Sequence, residues 1–171
     1  VAAEYEEILD HQADKCMQIF RKPLCVLSGA AGTGKTTVIK AILDNIDRVH
    51  GAGTSFLLMA PTGKAAERIK TQTGKPSKTI HSHLAKTGWI NENFTLKRSG
   101  GATGQDYNTI IIDECSMIDL NLFATLLRSI NWNSVQRVIL IGDPNQLPPI
   151  GRGRVFADTI DWLNVEYPDN V

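Results

Sequence analysis

Residues 29–36 read Gly29-Ala30-Ala31-Gly32-Thr33-Gly34-Lys35-Thr36, and this stretch decides the fold. It matches G-x-x-x-x-G-K-[ST], and its flanks supply the context that the pattern requires. Before it, Leu24-Cys25-Val26-Leu27 is an apolar run of strand length; after it, Val38, Ile39, Ile42, Leu43 and Ile46 recur at helical spacing. The predicted unit is strand, glycine-rich loop, helix. Gly29, Gly32 and Gly34 let the backbone wrap closely, aiming N–H groups and a helix N-terminus at the β- and γ-phosphates of a nucleotide. Lys35 is expected on the β/γ oxygens and the Thr36 hydroxyl on Mg2+, neutralising charge that builds up during transfer. A glycine-rich turn that merely caps a helix is the plain alternative, and the full motif in its full context disfavours it.

Outward from the loop, strands and helices alternate. Ile8, Leu9, Ala13, Met17 and Phe20 mark an amphipathic helix over 4–20 that Pro23 stops. Ser55–Met59 reads as a buried strand, followed after Pro61-Thr62-Gly63 by a short helix whose inner face is Ala65, Ala66 and Ile69. Ile110–Ile112 and Val138–Ile141 are further β-branched runs, separated by a helical stretch through Leu120, Phe123, Ala124, Leu126, Leu127 and Ile130. Such alternation predicts an α/β fold with a parallel sheet flanked by helices. The exception is 86–108, polar and punctuated by Gly88, Gly100, Gly101 and Gly104, with β-prone pieces at Trp89-Ile90 and Phe94-Thr95-Leu96. It is expected to form a small inserted β-hairpin with a flexible return.

Composition narrows the class. With 171 residues, one compact domain is expected, and 18 Lys plus Arg against 18 Asp plus Glu leave no global field to advertise a partner. The three cysteines, Cys16, Cys25 and Cys115, show no Cys-x-x-Cys spacing, which points away from a disulfide framework or zinc site and towards a reducing, cytoplasmic setting. No apolar run approaches the roughly 20 residues that span a bilayer, so no membrane partner is expected. The chain opens at Val1 and closes just after a Pro168-Asp169 turn signal, which suggests a fragment of something longer.

Asp113-Glu114 follows Ile110–Ile112, so a buried strand delivers two carboxylates at its C-terminal end, where parallel sheets bind ligands. Adjacent carboxylates point different ways from an extended chain. Asp113 is thereby expected to hold Mg2+ while Glu114 accepts a proton from the attacking water. Val138–Ile141 also ends in polar residues, Gly142-Asp143-Pro144-Asn145-Gln146, and Gln146 is placed to hydrogen-bond the γ-phosphate or the water; an ordinary turn is an equal reading. Pro148-Pro149 stiffen the next stretch of backbone, with Arg152 and Arg154 reaching outward or simply solvated.

These segments together resemble the RecD-like branch of superfamily 1 (superfamily 1B) DNA helicases, which move 5′ to 3′ on single-stranded DNA. The resemblance is colinear over nearly the whole chain. It is carried by Gly29–Thr37, by Ala-Pro-Thr-Gly-Lys-Ala-Ala at 60–66, by Thr-Ile-His at 79–81, by Ile-Asp-Glu-Cys-Ser-Met-Ile-Asp at 112–119 and by Gly-Asp-Pro-Asn-Gln-Leu-Pro-Pro-Ile-Gly at 142–151. It implies a P-loop NTPase fold of the RecA-like type, with 1–171 as the first motor domain. It also implies ATP rather than GTP, because Gln12 stands where the family's adenine-recognising glutamine is found. Nucleotide would be held by Gln12, Gly29, Ala30, Ala31, Gly32, Thr33, Gly34, Lys35, Thr36 and Thr37, with Lys35, Glu114 and Gln146 acting in catalysis and Thr36 and Asp113 on the metal. Cys115, where the family usually carries a small residue, is a mild departure. A second RecA-like domain of the parent chain would supply arginine fingers, so the fragment alone is expected to bind ATP and hydrolyse it poorly.

Between Thr62 and Arg98 stand Lys64, Arg68, Lys70, Lys75, Lys78, Lys86, Lys97 and Arg98 against Glu67 and Glu92, a local excess of 8 − 2 = +6 in a neutral chain. That is the electrostatic footprint of a phosphate-backbone partner, although a solvated face gives the same count. The resemblance places Pro61, Thr62, Gly63, Lys64, Thr79 and His81 along a single-stranded DNA track, His81 being open to a structural role instead. Trp89 and Phe94 could stack on a base or split a duplex, or form a small core under the hairpin. A recombination or conjugation complex is the setting the family suggests. The alternatives are an RNA-directed translocase and a nucleotide-dependent binding switch or loader; Glu114 argues against the switch, which needs no catalytic base.

Overall fold

A computed structural model describes residues 2–30, 32–51 and 56–171; the side chains of residues 2–6, 8, 9, 12 and 50 lie outside that description. The chain runs α1 (Ala2–Arg21), β1 (Leu24–Ser28), α2 (Lys35–His50), β2 (Phe56–Ala60), α3 (Gly63–Thr73), β3 (Lys78–Thr79), α4 (Ile80–Lys86), β4 (Thr109–Ile112), α5 (Leu120–Arg128), β5 (Arg137–Gly142) and α6 (Val155–Glu166). The five strands form one sheet in the order β1-β5-β4-β2-β3. Every pairing is parallel, with Val138 of β5 opposite both Leu24 and Ile110.

Because successive strand side chains alternate faces, each run feeds two cores. Leu57, Met59, Ile110, Ile112 and Leu140 pack beneath α5 and α6 with Leu122, Leu126, Phe156, Ile160 and Leu163. Leu58, Ile111, Ile139 and Ile141 pack on the other face against Ile39, Ile42, Leu43 and Ile46 of α2, with Ile19 of α1 and Ile69 of α3. Side chains covered on both faces explain why these strands are continuous apolar runs. Each fully buried Ile or Leu contributes about 1.5–3 kcal/mol.

Two helices go beyond what the sequence pattern predicts. α4 is seven residues long and buries only Ile80, His83 and Leu84, while α6 buries Phe156, Ile160 and Leu163 at i, i+4 and i+7. The insertion after α4 pairs as an antiparallel hairpin through a single bridge, Ile90 to Leu96. Asn91 N–H donates to the Thr95 carbonyl at 2.8 Å, and Lys97 N–H to that of Trp89 at 2.9 Å. Its return is anchored rather than flexible: Ala102 N–H donates to Thr87 O at 2.8 Å, Gly104 N–H to Ser129 O at 3.1 Å, and Tyr107 is buried. No helix among the described residues is long and apolar enough to cross a membrane.

Candidate active site

Parallel pairing puts the C-terminal ends of all five strands at one edge, and each quoted motif begins there. β1 runs into the glycine-rich loop, β2 into Pro61–Lys64, β3 into α4, β4 into Asp113-Glu114 and β5 into Asp143–Gln146. β5 lies between β1 and β4, so Gly142–Gln146 emerges between the phosphate loop and the acidic pair. Gly29 N–H donates to the Gly142 carbonyl at 3.2 Å, tying loop to strand end.

The loop turns through φ values of 79° at Gly32 and 87° at Gly34, which a Cβ would strain, and delivers Lys35 as the first residue of α2. Lys35 Nζ donates to the carbonyl oxygens of Gly29 and, at 2.7 Å, Ala30; the Thr33 hydroxyl donates to Ala30 O at 2.8 Å. The lysine thus folds back onto its own loop. Thr36 is half-buried beside it and Thr37 is exposed. Ala31 and the side chain of Gln12 lie outside the described residues, although Gln12 falls within α1.

Asp113 is 8% exposed, its N–H donating to Met59 O of β2 at 2.8 Å and its Oδ1 accepting from Glu114 N–H at 2.9 Å. Burial raises the Asp113 carboxyl above the ordinary carboxylate range, with Arg68 and Lys35 opposing. Glu114 adopts φ 54°, a left-handed conformation that costs a non-glycine residue of order 1–3 kcal/mol and recurs at functional sites. The two carboxylates do not diverge as from an extended strand. Both face the guanidinium of Arg68, which donates a hydrogen bond to Glu114 Oε1 and lies 3.8 Å from Asp113 Oδ2. That contact holds the Arg68 guanidinium even further towards its charged form.

Arg68 counted in the sequence only as one cation of a basic stretch. The available signal is its place one turn after Lys64 on the helix that leaves β2. Gly34, Lys35, Thr36, Arg68, Asp113, Glu114 and Gln146 line one cleft of about 340 Å³. The structure therefore brings together Lys35, Thr36, Asp113, Glu114 and Gln146.

The other expected contacts divide. Thr62 and Thr79 use their hydroxyls to cap α3 and α4, accepting from Ala65 N–H at 3.2 Å and Ser82 N–H at 3.0 Å. Gly63, Lys64 and His81 are exposed and Pro61 half-buried beside them. Phe94 is 87% exposed at the hairpin tip, whereas Trp89 is 6% exposed and donates its indole N–H to Ala102 O at 2.7 Å. The Trp89 ring lies so close over Gly101 that a Cβ there would meet it at 2.4 Å. Trp89 is a packing residue, with no free face for a base. The basic stretch is also partly neutralised: Lys75 pairs with Asp44 and Asp47 of α2, Lys70 with Glu67, and Arg68 with the acidic pair.

Residues 12–152, most of the chain, match the family described as AAA domain. The chain belongs to this AAA domain family. Several of its relatives carry DNA helicase names, in line with the resemblance of its motifs to RecD-like superfamily 1B enzymes. An uncharacterised protein of Methanocaldococcus jannaschii is 35% identical over 98% of this chain and 15% of its own length. The ATP-dependent RecD2 DNA helicase of Deinococcus radiodurans is 36% identical over 84% of this chain and 19% of its own length, and the ATP-dependent DNA helicase dda of Enterobacteria phage T4 is 34% identical over 80% and 30%. The chain thus spans less than a third of each of these three proteins. The AAA domain fold is shared with Bacteroides sp Pif1 solved in complex with ADP-AlF4, at a TM-score of 0.55 and 24% identity, covering 91% of this chain and 36% of that one.

Proposed function

We propose that this AAA domain is the ATP-binding motor domain of an ATP-dependent 5′ to 3′ DNA helicase, in which residues 1–171 form the first RecA-like unit. The observation that carries the proposal is the single cleft shared by Lys35, Thr36, Asp113, Glu114 and Gln146. Lys35 exchanges its loop carbonyls for the β/γ-phosphate oxygens of ATP, and Gln12 from α1 reads adenine. Thr36 and Asp113 fit Mg2+: both line the cleft, and the burial that raises the Asp113 carboxyl is the penalty a bound cation relieves. Bound there, Mg2+ supplies charge neutralisation on the phosphates. Glu114 accepts a proton from the attacking water, whose oxygen bonds to the γ-phosphorus as the bond to the bridging β,γ-oxygen breaks. ADP and phosphate are the products. Gln146, on the loop after β5, couples occupancy of the γ-phosphate position to DNA.

Single-stranded DNA runs along the rim formed by the exposed Gly63, Lys64 and His81 and the half-buried Pro61, with the exposed Phe94 at the hairpin tip as a stacking or wedge residue. A recombination or conjugation assembly is the natural setting for such a motor. The names RecD2 DNA helicase and DNA helicase dda among the relatives support DNA over RNA. The test is ATP hydrolysis by the full-length polypeptide with single-stranded DNA, with RNA and with neither, using Lys35→Ala as the blank. The DNA reading expects strong stimulation by DNA and little by RNA; equal, slow rates in all three would refute it in favour of a switch.

A further inference from the structure

The cleft holds a cation, Arg68, to which the hydrolytic scheme gives no role. Arg68 donates to Glu114 Oε1, the carboxylate that must receive the proton of the attacking water. While that ion pair stands, an oxygen of the base is occupied by a guanidinium that lines the cleft. Lys35, folded onto Gly29 and Ala30, is withdrawn into its own loop in the same arrangement. Both groups therefore make hydrogen bonds to protein partners.

We infer that Arg68 is a positioning residue that latches Glu114 until the Thr62–Lys64 end of its helix is engaged by nucleic acid, an inference that rests on the ATPase reading of the cleft. Lys64, Arg68 and Gln72 recur every fourth residue, so they form one stripe along α3. Arg68 and Gln72 line the cleft, while Lys64 stands exposed at the helix start. At 1.5 Å per residue the two ends of this lever, Lys64 and Arg68, are about 6 Å apart along one helix axis. α3 therefore connects the rim to the base without any intermediary element.

The first turn of α3 makes a light apolar contact with the sheet. It packs through Ala65 and Ala66 onto Ala60 at the end of β2, a contact of methyl groups without interlocking branches. The anchored part lies a turn later, at Ile69 and Thr73, which are buried at 1% and 2% exposure. A small tilt of α3 about the Ile69 anchor redirects the long Arg68 side chain beside it from Glu114 Oε1. The latch thereby links strand binding to release of the base.

The test measures kcat and KM for ATP in the full-length polypeptide, with and without oligodeoxythymidylate, for wild type, Arg68→Ala, Arg68→Lys and Lys35→Ala, beside melting temperatures. The latch predicts that Arg68→Ala raises the strand-free kcat about five-fold, equivalent to about 1 kcal/mol, at unchanged melting temperature. The stimulation ratio falls to match, and Arg68→Lys, which keeps the charge, stays close to wild type. A strand-free kcat that is unchanged or lowered in Arg68→Ala overturns the latch while Lys35-dependent hydrolysis leaves the ATPase reading standing. Hydrolysis that is the same in wild type and Lys35→Ala refutes the ATPase reading itself and the latch with it.

Discussion

Replacing Trp89 and Phe94 one at a time separates two aromatic residues that the sequence presents as equals. Trp89 is 6% exposed, donates to Ala102 O at 2.7 Å and covers Gly101, while Phe94 is 87% exposed. A buried tryptophan removes 150–250 Å² from water, and at about 25 cal/mol per Å² that is about 4–6 kcal/mol as an upper bound. Trp89→Ala forfeits most of this, opens a cavity and leaves the Ala102 carbonyl without its donor, so the expected loss is about 3–5 kcal/mol. That is a large part of the 5–15 kcal/mol typical of a whole domain. Phe94→Ala, with almost nothing buried, should change stability by less than about 0.5 kcal/mol. Urea titration of both variants, followed by tryptophan fluorescence for Phe94→Ala and far-ultraviolet circular dichroism for Trp89→Ala, reads the difference. On function the order inverts: Phe94→Ala keeps DNA-stimulated ATPase and loses duplex unwinding. A stable Trp89→Ala, or a Phe94→Ala that unwinds normally, would refute this division of labour.

Three further outcomes rest on the geometry. Gln146→Ala should keep nucleotide affinity within about three-fold, yet lower strand-stimulated turnover at least ten-fold, or about 1.4 kcal/mol, in a steady-state assay. His83 is buried between Ser129, whose own hydroxyl donates to Leu126 O at 2.7 Å, and the charges of Lys78 and Lys86; burial above all pushes its pKa below 6.5. Between that lowered value and 6.5 the unfolded chain binds more protons than the folded one, so stability falls as pH drops through this window. Melting temperatures from pH 7.5 down to 5 should show the slope, at most about 1.4 kcal/mol per pH unit, and His83→Gln should flatten it. Lys75→Ala removes the cation that Asp44 and Asp47 of α2 share, Asp44 keeping its ion pair with Lys40, and should cost about 0.5–1 kcal/mol in a urea titration, a loss that high salt reduces.

Much of this fold is legible in the sequence because its decisive signals are local. The loop at Gly29–Thr36 and the runs ending at Ala60, Ile112 and Gly142 each carry their own period, and parallel order follows from the helices between them. α4 escapes because seven residues with one Ile–Leu pair barely make a period. α6 has the period, at Phe156, Ile160 and Leu163, but it comes directly after a proline- and glycine-rich stretch whose composition signals turns. What stays hidden in the site is long-range. Arg68 meets Glu114 across 46 positions, and Lys75 meets Asp47 across 28, so neither pairing leaves a mark in sequence spacing. For the same reason a +6 stretch overstates the free charge at the rim. Trp89 cannot be told from Phe94 until burial distinguishes them, since both sit in the same short β-prone insertion.

If Lys35, Asp113 and Glu114 act on one bound nucleotide, removing the base must abolish turnover without releasing that nucleotide. ATP hydrolysis by the full-length polypeptide is followed as single-stranded DNA is titrated in, with Glu114→Gln beside wild type and nucleotide binding checked on both by a fluorescent ATP analogue. Steep stimulation of the wild type is expected, and in Glu114→Gln intact binding with turnover at least a hundred-fold lower, about 2.7 kcal/mol, the loss expected of a general base. Normal turnover by Glu114→Gln would contradict it, because the base would then lie elsewhere.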